Sequence, residues 1–167
     1  FAAKTFLNLP IVFLYIDSNK ILWISTKGNG LYRYDIINNK VTNYNYEEGN
    51  DNSLSDSDIS VIAEDFENNF WIGTTKGGLN KLNKDLYKIE RISKKEGLAG
   101  NRINGILADE NGNLWIASNE VLTKFNITSK KIINFTQCGT IALDGCNSLA
   151  CHKSYDGMMY FGTVNGV

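Results

Sequence analysis

The sequence predicts an all-β fold built from repeated four-stranded antiparallel units, and three observations carry that expectation. An aromatic motif recurs at a nearly fixed interval. Ile-Leu-Trp-Ile-Ser-Thr surrounds Trp23, Phe-Trp-Ile-Gly-Thr surrounds Trp71, Leu-Trp-Ile-Ala-Ser surrounds Trp115 and Met-Tyr-Phe-Gly-Thr surrounds Tyr160, at steps of 48, 44 and 45 residues. The register extends beyond the aromatic residue. Asp17, Asp65 and Asp109 each stand six residues before a Trp, and Ile11, Ile59 and Ile103 stand six before those. The composition is rich in turn formers, with 15 Gly, about 22 Asn and a single Pro. A period of roughly 40–50 residues made of short strands is the signature of β-propeller blades.

Each unit reads as four strands. The first, such as Ile11-Val12-Phe13-Leu14-Tyr15-Ile16, is almost continuously apolar, as a strand buried on both faces should be. An Asp-led turn follows, rich in Asn or Gly, and its carboxylate is expected to bond its own turn backbone. The Trp-centred second strand comes next. A Gly-rich hairpin, Lys27-Gly28-Asn29-Gly30 or Lys76-Gly77-Gly78, leads into the third strand, Leu31 to Asp35 or Leu79 to Asn83. The third unit keeps the strand Val121 to Asn126 but replaces the glycines by Asn119-Glu120. Fourth strands run over Lys40 to Tyr44, Tyr87 to Ile92 and Lys131 to Phe135, more alternating and more charged, as outer edges are. From Asp85 to Ala99, apolar residues at Leu86, Ile89 and Ile92 also fit a helix; the aligned stretches favour strand. The units span about 11–58, 59–102 and 103–147, with 148–167 incomplete.

About three and a half blades are therefore expected, whereas closed propellers have about 4–8. Three and a half blades leave an apolar face open at each end. Self-association, or remaining blades supplied from elsewhere, is the expected remedy.

Composition excludes several classes. The 167 residues are 43% hydrophobic and 21% charged, with a formal net charge of -1. That fits one ordinary domain and argues against disorder and against the basic surface of a nucleic-acid binder. No apolar run approaches the roughly 20 residues of a membrane span, so this segment is not expected to touch a membrane directly. Phe1 opens no basic-then-apolar secretory leader, so the chain reads as cytosolic or as a portion of something larger. Three Cys and one His are too few for a disulfide scaffold or a zinc cluster, and neither metal nor cofactor is expected.

Most residues that resemble chemistry repeat, and repetition points to structure. Asp17, Asp65 and Asp109 open turns, while Trp23, Trp71, Trp115 and Tyr160 are sized to fill the space between blades rather than to stack on sugars. Gly28-Asn29-Gly30 is a hairpin turn, not a phosphate loop. His152 stands alone in a strand-like stretch with no nucleophile to activate. Functional residues are expected where the units differ. These are the inter-blade loops, Glu47 to Asp58, Lys94 to Arg102 and Gln137 to Asn147, and the turns holding Lys27, Asn29, Lys76, Asn119 and Glu120. Arg102, flanked by Asn101 and Asn104, is the leading ligand-binding candidate, with Lys27, Lys76 and Asn119 beside it. A guanidinium fork can hold a carboxylate or sulfate through two parallel hydrogen bonds.

The string Asp-x-x-x-x-Leu-Trp-Ile-Gly-Thr-x-x-Gly-Gly-Leu, matched best by Asp65 to Leu79 and well by Asp17 to Leu31 and Asp109 to Leu122, resembles the two-component regulator propeller repeat. The resemblance covers nearly the whole chain. Cys146-Asn147-Ser148-Leu149-Ala150-Cys151-His152-Lys153, followed by Asp156-Gly157 and Met159-Tyr160-Phe161-Gly162, resembles the last propeller repeat of such receptors, with Cys146 in place of Phe and Thr163 in place of Gly. The resemblance implies part of a seven-bladed propeller in the periplasmic sensor region of a hybrid two-component histidine kinase. Such receptors are common in gut Bacteroidetes, and many respond to oligosaccharides. It further implies a membrane-anchored parent whose kinase lies outside this chain, so no enzyme activity is expected here. In an oxidising periplasm Cys138 and Cys146 can bridge across the loop from Gly139 to Gly145; unbridged thiols are the expectation, since one Cys is left over in any pairing. The competing readings are a lyase-like propeller enzyme and a scaffold without a ligand.

Overall fold

The computed structural model describes residues 6, 8–17, 19–83, 88–119, 121–135, 137–138, 141–142 and 146–163; for 137, 138, 141, 142, 146, 148 and 149 it describes the backbone alone. Three four-stranded antiparallel sheets follow one another in chain order. The first holds β1 (Ile11–Ile16), β2 (Ile21–Thr26), β3 (Leu31–Asp35) and β4 (Lys40–Tyr44). The second holds β5 (Ile59–Glu64), β6 (Phe70–Thr74), β7 (Leu79–Asn83) and β8 (Lys88–Ile92). The third holds β9 (Gly105–Ala108), β10 (Asn113–Ala117), β11 (Leu122–Asn126) and β12 (Ile132–Phe135). A short pair, β13 (Gln137–Cys138) with β14 (Ile141–Ala142), precedes a two-stranded sheet of β15 (Cys146–Lys153) and β16 (Met159–Thr163). The fold is thus three complete propeller blades and part of a fourth, as the repeat predicts.

The repeated Asp does more than close its turn. Asp17 Oδ1 accepts the backbone N–H of Asn19 and Ile21 at 2.9 and 3.0 Å, and Oδ2 accepts the Trp23 indole N–H at 3.1 Å. Asp65 accepts Glu67 N, Asn69 N and Trp71 Nε1 at 3.0, 2.9 and 2.8 Å. Asp109 accepts Asn111 N, Asn113 N and Trp115 Nε1 at 2.9, 2.9 and 3.0 Å. One carboxylate per blade therefore ties the hairpin to the ring at its centre, which satisfies a buried indole donor in the bargain. The six-residue spacing is the distance this bond requires. Across the sheet each Trp faces a cation, in the pairs Trp23↔Arg33, Trp71↔Lys81 and Trp115↔Lys124. The Lys81 and Lys124 ammonium groups lie 5.3 and 5.2 Å from the ring centroids, within cation–π range.

Blades stack through these rings. Trp23 lies 4.5 Å, centroid to centroid, from Phe70 of the second blade, and Trp71 meets Phe125 of the third edge-on at 5.7 Å. One cluster, with Trp23, Leu31, Ile59, Phe70 and Leu82, fills the space between the first and second blades. A second, with Trp71, Leu79, Ile103, Leu114 and Phe125, fills that between the second and third. The Gly-rich hairpins are set by backbone need. Gly78 has φ +88°, and a Cβ there would lie 2.5 Å from the Ile92 carbonyl; Gly30, its counterpart, has φ +73° and the Tyr44 carbonyl at 2.2 Å. The Thr26 and Thr74 hydroxyls, at the same repeat position, donate to the carbonyls of Gly30 and Gly78 at 2.6 and 2.8 Å.

Two expectations are corrected, and the helix alternative is set aside in favour of the expected strand. β1 is not buried on both faces, because no described sheet covers its outer side; Ile11, Val12, Leu14 and Ile16 are exposed. The helix alternative between Asp85 and Ala99 fails over its described part. Lys88–Ile92 is strand paired with β7, and only a single 3₁₀ turn, Lys94–Glu96, follows, capped by Ser93 and Glu96. The loop from Gln137 to Asn147 contains the β13–β14 pair, and β15 begins at Cys146 rather than near Leu149. The Cys138 and Cys146 side chains, and with them the disulfide question, lie outside the described residues, as do Leu86 and Tyr87.

Candidate functional site

The segment Asn101 to Asn104 is strung between two blades by its own backbone. Gly78 N donates to the Asn101 carbonyl at 2.9 Å, Ile103 N to the Thr74 carbonyl at 3.0 Å, and Asn104 N to the Ala117 carbonyl at 2.8 Å. The Ser60 hydroxyl, on β5, donates to the Ile103 carbonyl at 2.6 Å. Asn101 Oδ1 accepts Lys94 N at 3.0 Å, which closes the loop back on itself. This anchoring leaves the Arg102 side chain exposed at the crest between the blades. Its Nε donates to Asn104 Oδ1 at 3.4 Å, and Asn104 Nδ2 donates to Asn119 Oδ1 at 3.2 Å, so a chain of three polar side chains runs across the crest. Among the described residues the two terminal nitrogens of Arg102 make no hydrogen bond or ion pair. By contrast Arg91 is fully engaged, donating to the Asn50, Ser53 and Leu54 carbonyls and to the Ser53 hydroxyl.

Two clefts of about 300 Å³ each flank Arg102. The inner one, beside the first strands of the blades, is lined by Lys27, Asp58, Ser60, Thr75, Arg102 and Asn104, with Val12 and Ile59 as its apolar wall. The outer one is lined by Lys94, Asn101, Arg102, Ser118 and Asn119. The inner cleft combines two cations with one carboxylate; the outer has two cations and no carboxylate among its lining residues. Both offer amides and hydroxyls, the donors and acceptors that a polyhydroxylated ligand needs.

Of the residues singled out from sequence, Arg102 and Asn104 line the inner cleft with Lys27, and Arg102, Asn101 and Asn119 line the outer one. Lys76 lines neither; its backbone N–H is held by Asp56 at 2.9 Å and its side chain is exposed. Ser60, Thr75 and Ser118 were not singled out, and Asp58 and Lys94 only as the ends of two inter-blade loops. They come from three blades, and no spacing in the sequence announces that they converge. Trp23 and Trp71 are fully buried, and Trp115 is half-buried under Phe135, stacked at 5.9 Å. Tyr160, their fourth-unit counterpart, remains exposed. His152 is exposed on β15 opposite Tyr160 and lines neither cleft. Among the described residues no cluster of three or more His, Cys, Asp or Glu could hold a metal ion.

Away from the clefts several groups have shifted ionisation, Tyr15 and Asp109 among them. Burial pushes the Tyr15 phenol up, and its 2.6 Å hydrogen bond to Glu64 across the first two blades pushes it further. Burial pulls the Asp109 carboxyl upward, but the hydrogen bonds from Asn113, Trp115 and Asn111 outweigh it and hold the group below the usual carboxylate range.

These features define the class: a partial β-propeller whose repeated polar residues are engaged in structure and whose unrepeated ones line two clefts. Comparison with known proteins narrows it. The two-component regulator propeller family model matches residues 53–76 and 97–120, so these two stretches are similar to two-component regulator propeller repeats. Histidine kinase P4 of Formosa agariphila is 28% identical over 210 aligned residues, covering 97% of this chain and 15% of that protein. The extracellular domain assigned to a hybrid two component system of B. thetaiotaomicron is similar in structure, with a TM-score of 0.75 and 25% identity over 92% of this chain and 21% of its own. Virginiamycin B lyase of Staphylococcus aureus shares the fold alone, at TM-score 0.66 and 17% identity over 94% of this chain and 53% of its own. The chain therefore spans a small part of the sensor proteins that it resembles. No helix among the described residues is long and apolar enough to cross a membrane.

Proposed function

We propose that this chain is part of the periplasmic ligand-sensing propeller of a membrane-anchored two-component receptor, and that it takes an oligosaccharide in the clefts beside Arg102. In this reading the units 11–58, 59–102, 103–147 and the incomplete 148–167 act as one non-enzymatic recognition surface, and the kinase belongs to the parent receptor. The observation that carries it is the guanidinium fork of Arg102. It is positioned by Asn104 and stands between two polar clefts, its terminal nitrogens without a partner among the described residues. Similarity to the extracellular domain of a hybrid two component system supports the receptor context. Lys27, Lys94, Asn101 and Asn119 supply further contacts, and the cations suit a saccharide bearing a carboxylate or sulfate.

The test is a glycan array followed by titration calorimetry on the best ligand. The expected result is binding without turnover, weakened at least tenfold by Arg102→Ala, the scale of one lost charge-assisted contact of about 1.5–3 kcal/mol. Binding that ignores Arg102→Ala overturns the assignment of the site. Formation of a cleaved or unsaturated product would instead favour the propeller-lyase reading, and no binding to any glycan would favour a scaffold.

A further inference from the structure

We propose that Asp58 sets the specificity of the inner cleft: it seats a sugar unit that carries one acid group and adjacent free hydroxyls, and it excludes a unit that carries a second acid group. The inference rests on the reading of that cleft as a saccharide site. Three ionised side chains from three separate segments line the same space of about 300 Å³. Lys27 comes from the hairpin of the first blade, Asp58 from the loop entering the second and Arg102 from the loop entering the third. They do not neutralise one another. The ion pairs among the described residues lie elsewhere, at Arg91–Asp51, Lys130–Glu90 and Lys153–Glu110. Opposite charges held apart around one cleft complement a ligand that brings an anion to the cations and hydrogen-bond donors to the carboxylate.

Among the described residues every other aspartate carboxylate is engaged. Asp17, Asp65 and Asp109 accept their turn amides and an indole N–H. Asp35 accepts from Asn38, Asp56 from the backbone of Asp58 and Lys76, and Asp156 from Ser154, while Asp51 pairs with Arg91. The Asp58 carboxylate has no donor among the described residues, although the residue is half-buried. Its backbone is nonetheless fixed. Thr75 donates to the Asp58 carbonyl through its N–H and its hydroxyl at 3.0 and 3.2 Å, and Asp58 N donates to Asp56 Oδ1 at 3.2 Å. The first-blade hairpin passes Asp58 Oδ1 at Gly28, where a Cβ would lie 3.7 Å away, so no side chain stands between them. A half-buried carboxylate has given up part of its water and needs donors in return. As an acceptor with two oxygens it suits a pair of neighbouring hydroxyls and repels an anion. An unpaired like charge set against the wrong ligand is one way a site rejects it.

An array printed with one set of disaccharides in three forms tests the proposal: neutral, with one sulfate, and with two sulfates on one ring. The native chain, Asp58→Asn, Asp58→Ser and Arg102→Ala are compared on it. The native chain should bind singly sulfated forms at least about tenfold more tightly than doubly sulfated ones. In both Asp58 variants that preference should shrink to within about threefold, with the far-ultraviolet circular dichroism unchanged. Arg102→Ala should weaken binding of every sulfated form. A native chain that binds the doubly sulfated forms equally well, or a preference that both Asp58 variants keep, overturns the role of Asp58; if Arg102→Ala still weakens binding, the saccharide site itself stands. Loss of all binding in both Asp58 variants also overturns the proposal, because the carboxylate would then serve binding in general rather than selection. A native chain that binds none of the three forms overturns the proposal and the saccharide reading together.

Discussion

Replacing Asp65 by Ala removes the acceptor at the centre of the best-formed repeat. The hydrogen bonds from Glu67 N, Asn69 N, Asn69 Nδ2 and Trp71 Nε1 are lost. They are not equivalent. Glu67 is exposed and Asn69 half-buried, so water can replace the carboxylate at their amides. Trp71 is 0% exposed and its indole N–H, bonded at 2.8 Å, has no access to water. An orphaned buried donor costs about 1–3 kcal/mol, and each rehydrated amide about 0.5 kcal/mol in lost local order, for a total near 3 kcal/mol. In a double-mutant cycle with Trp71→Phe, which removes the donor and keeps an aromatic body, the coupling between the two sites should be about 1–2 kcal/mol. Urea melts at one fixed protein concentration measure it, since any self-association adds to apparent stability. A loss below about 1 kcal/mol for Asp65→Ala, or a coupling near zero, would refute the view that the carboxylate-to-indole bond fastens each blade.

Trp71→Ala should cost about 3–5 kcal/mol in the same melts, the range for truncating a buried large aromatic, because the ring fills the contact with Phe125. Gly78→Ala should cost more than about 1 kcal/mol, because it adds a Cβ at φ +88° and 2.5 Å from the Ile92 carbonyl. Thermal melts of that variant should show the loss even though the added group is a single methyl. Asp109 has its folded pKa below the unfolded one. Its contribution is therefore fully present above the unfolded value of about 3.9 and lost as pH falls through the lower, folded value. Stability measured against pH should fall more gently in acid for Asp109→Asn than for the native chain, and an identical slope would count against the shift.

Much of the fold is legible from the repeat because the repeat records local needs. The strands Ile11–Ile16 and Lys40–Tyr44 lie where the aligned pattern places them, and the Asp-led turns accept their own backbone N–H groups. The six-residue step from Asp to Trp was legible too, but its meaning was not. A turn carboxylate and a packing aromatic each explain themselves separately, and only the antiparallel register shows that they touch. The exposure of β1 escapes a reading of its apolar run, since burial depends on a neighbouring sheet rather than on the strand. Arg102, Asn101 and Asn104 stood out as departures from the repeat. Asp58, Thr75 and Lys94 join them only through the stacking of separate blades, a long-range juxtaposition with no periodic trace in the chain.

The most direct test of ligand recognition at Arg102 is amide chemical-shift mapping by NMR during titration with the oligosaccharide that binds best on the array. Shifts should concentrate at Asp58, Ser60, Thr75, Asn101 to Asn104, Ser118 and Asn119, the walls of the two clefts. The hairpin turns at Asn19, Asn68 and Asn111 should stay unmoved. Shifts centred on those turns, or on the exposed β1 face, would contradict the account.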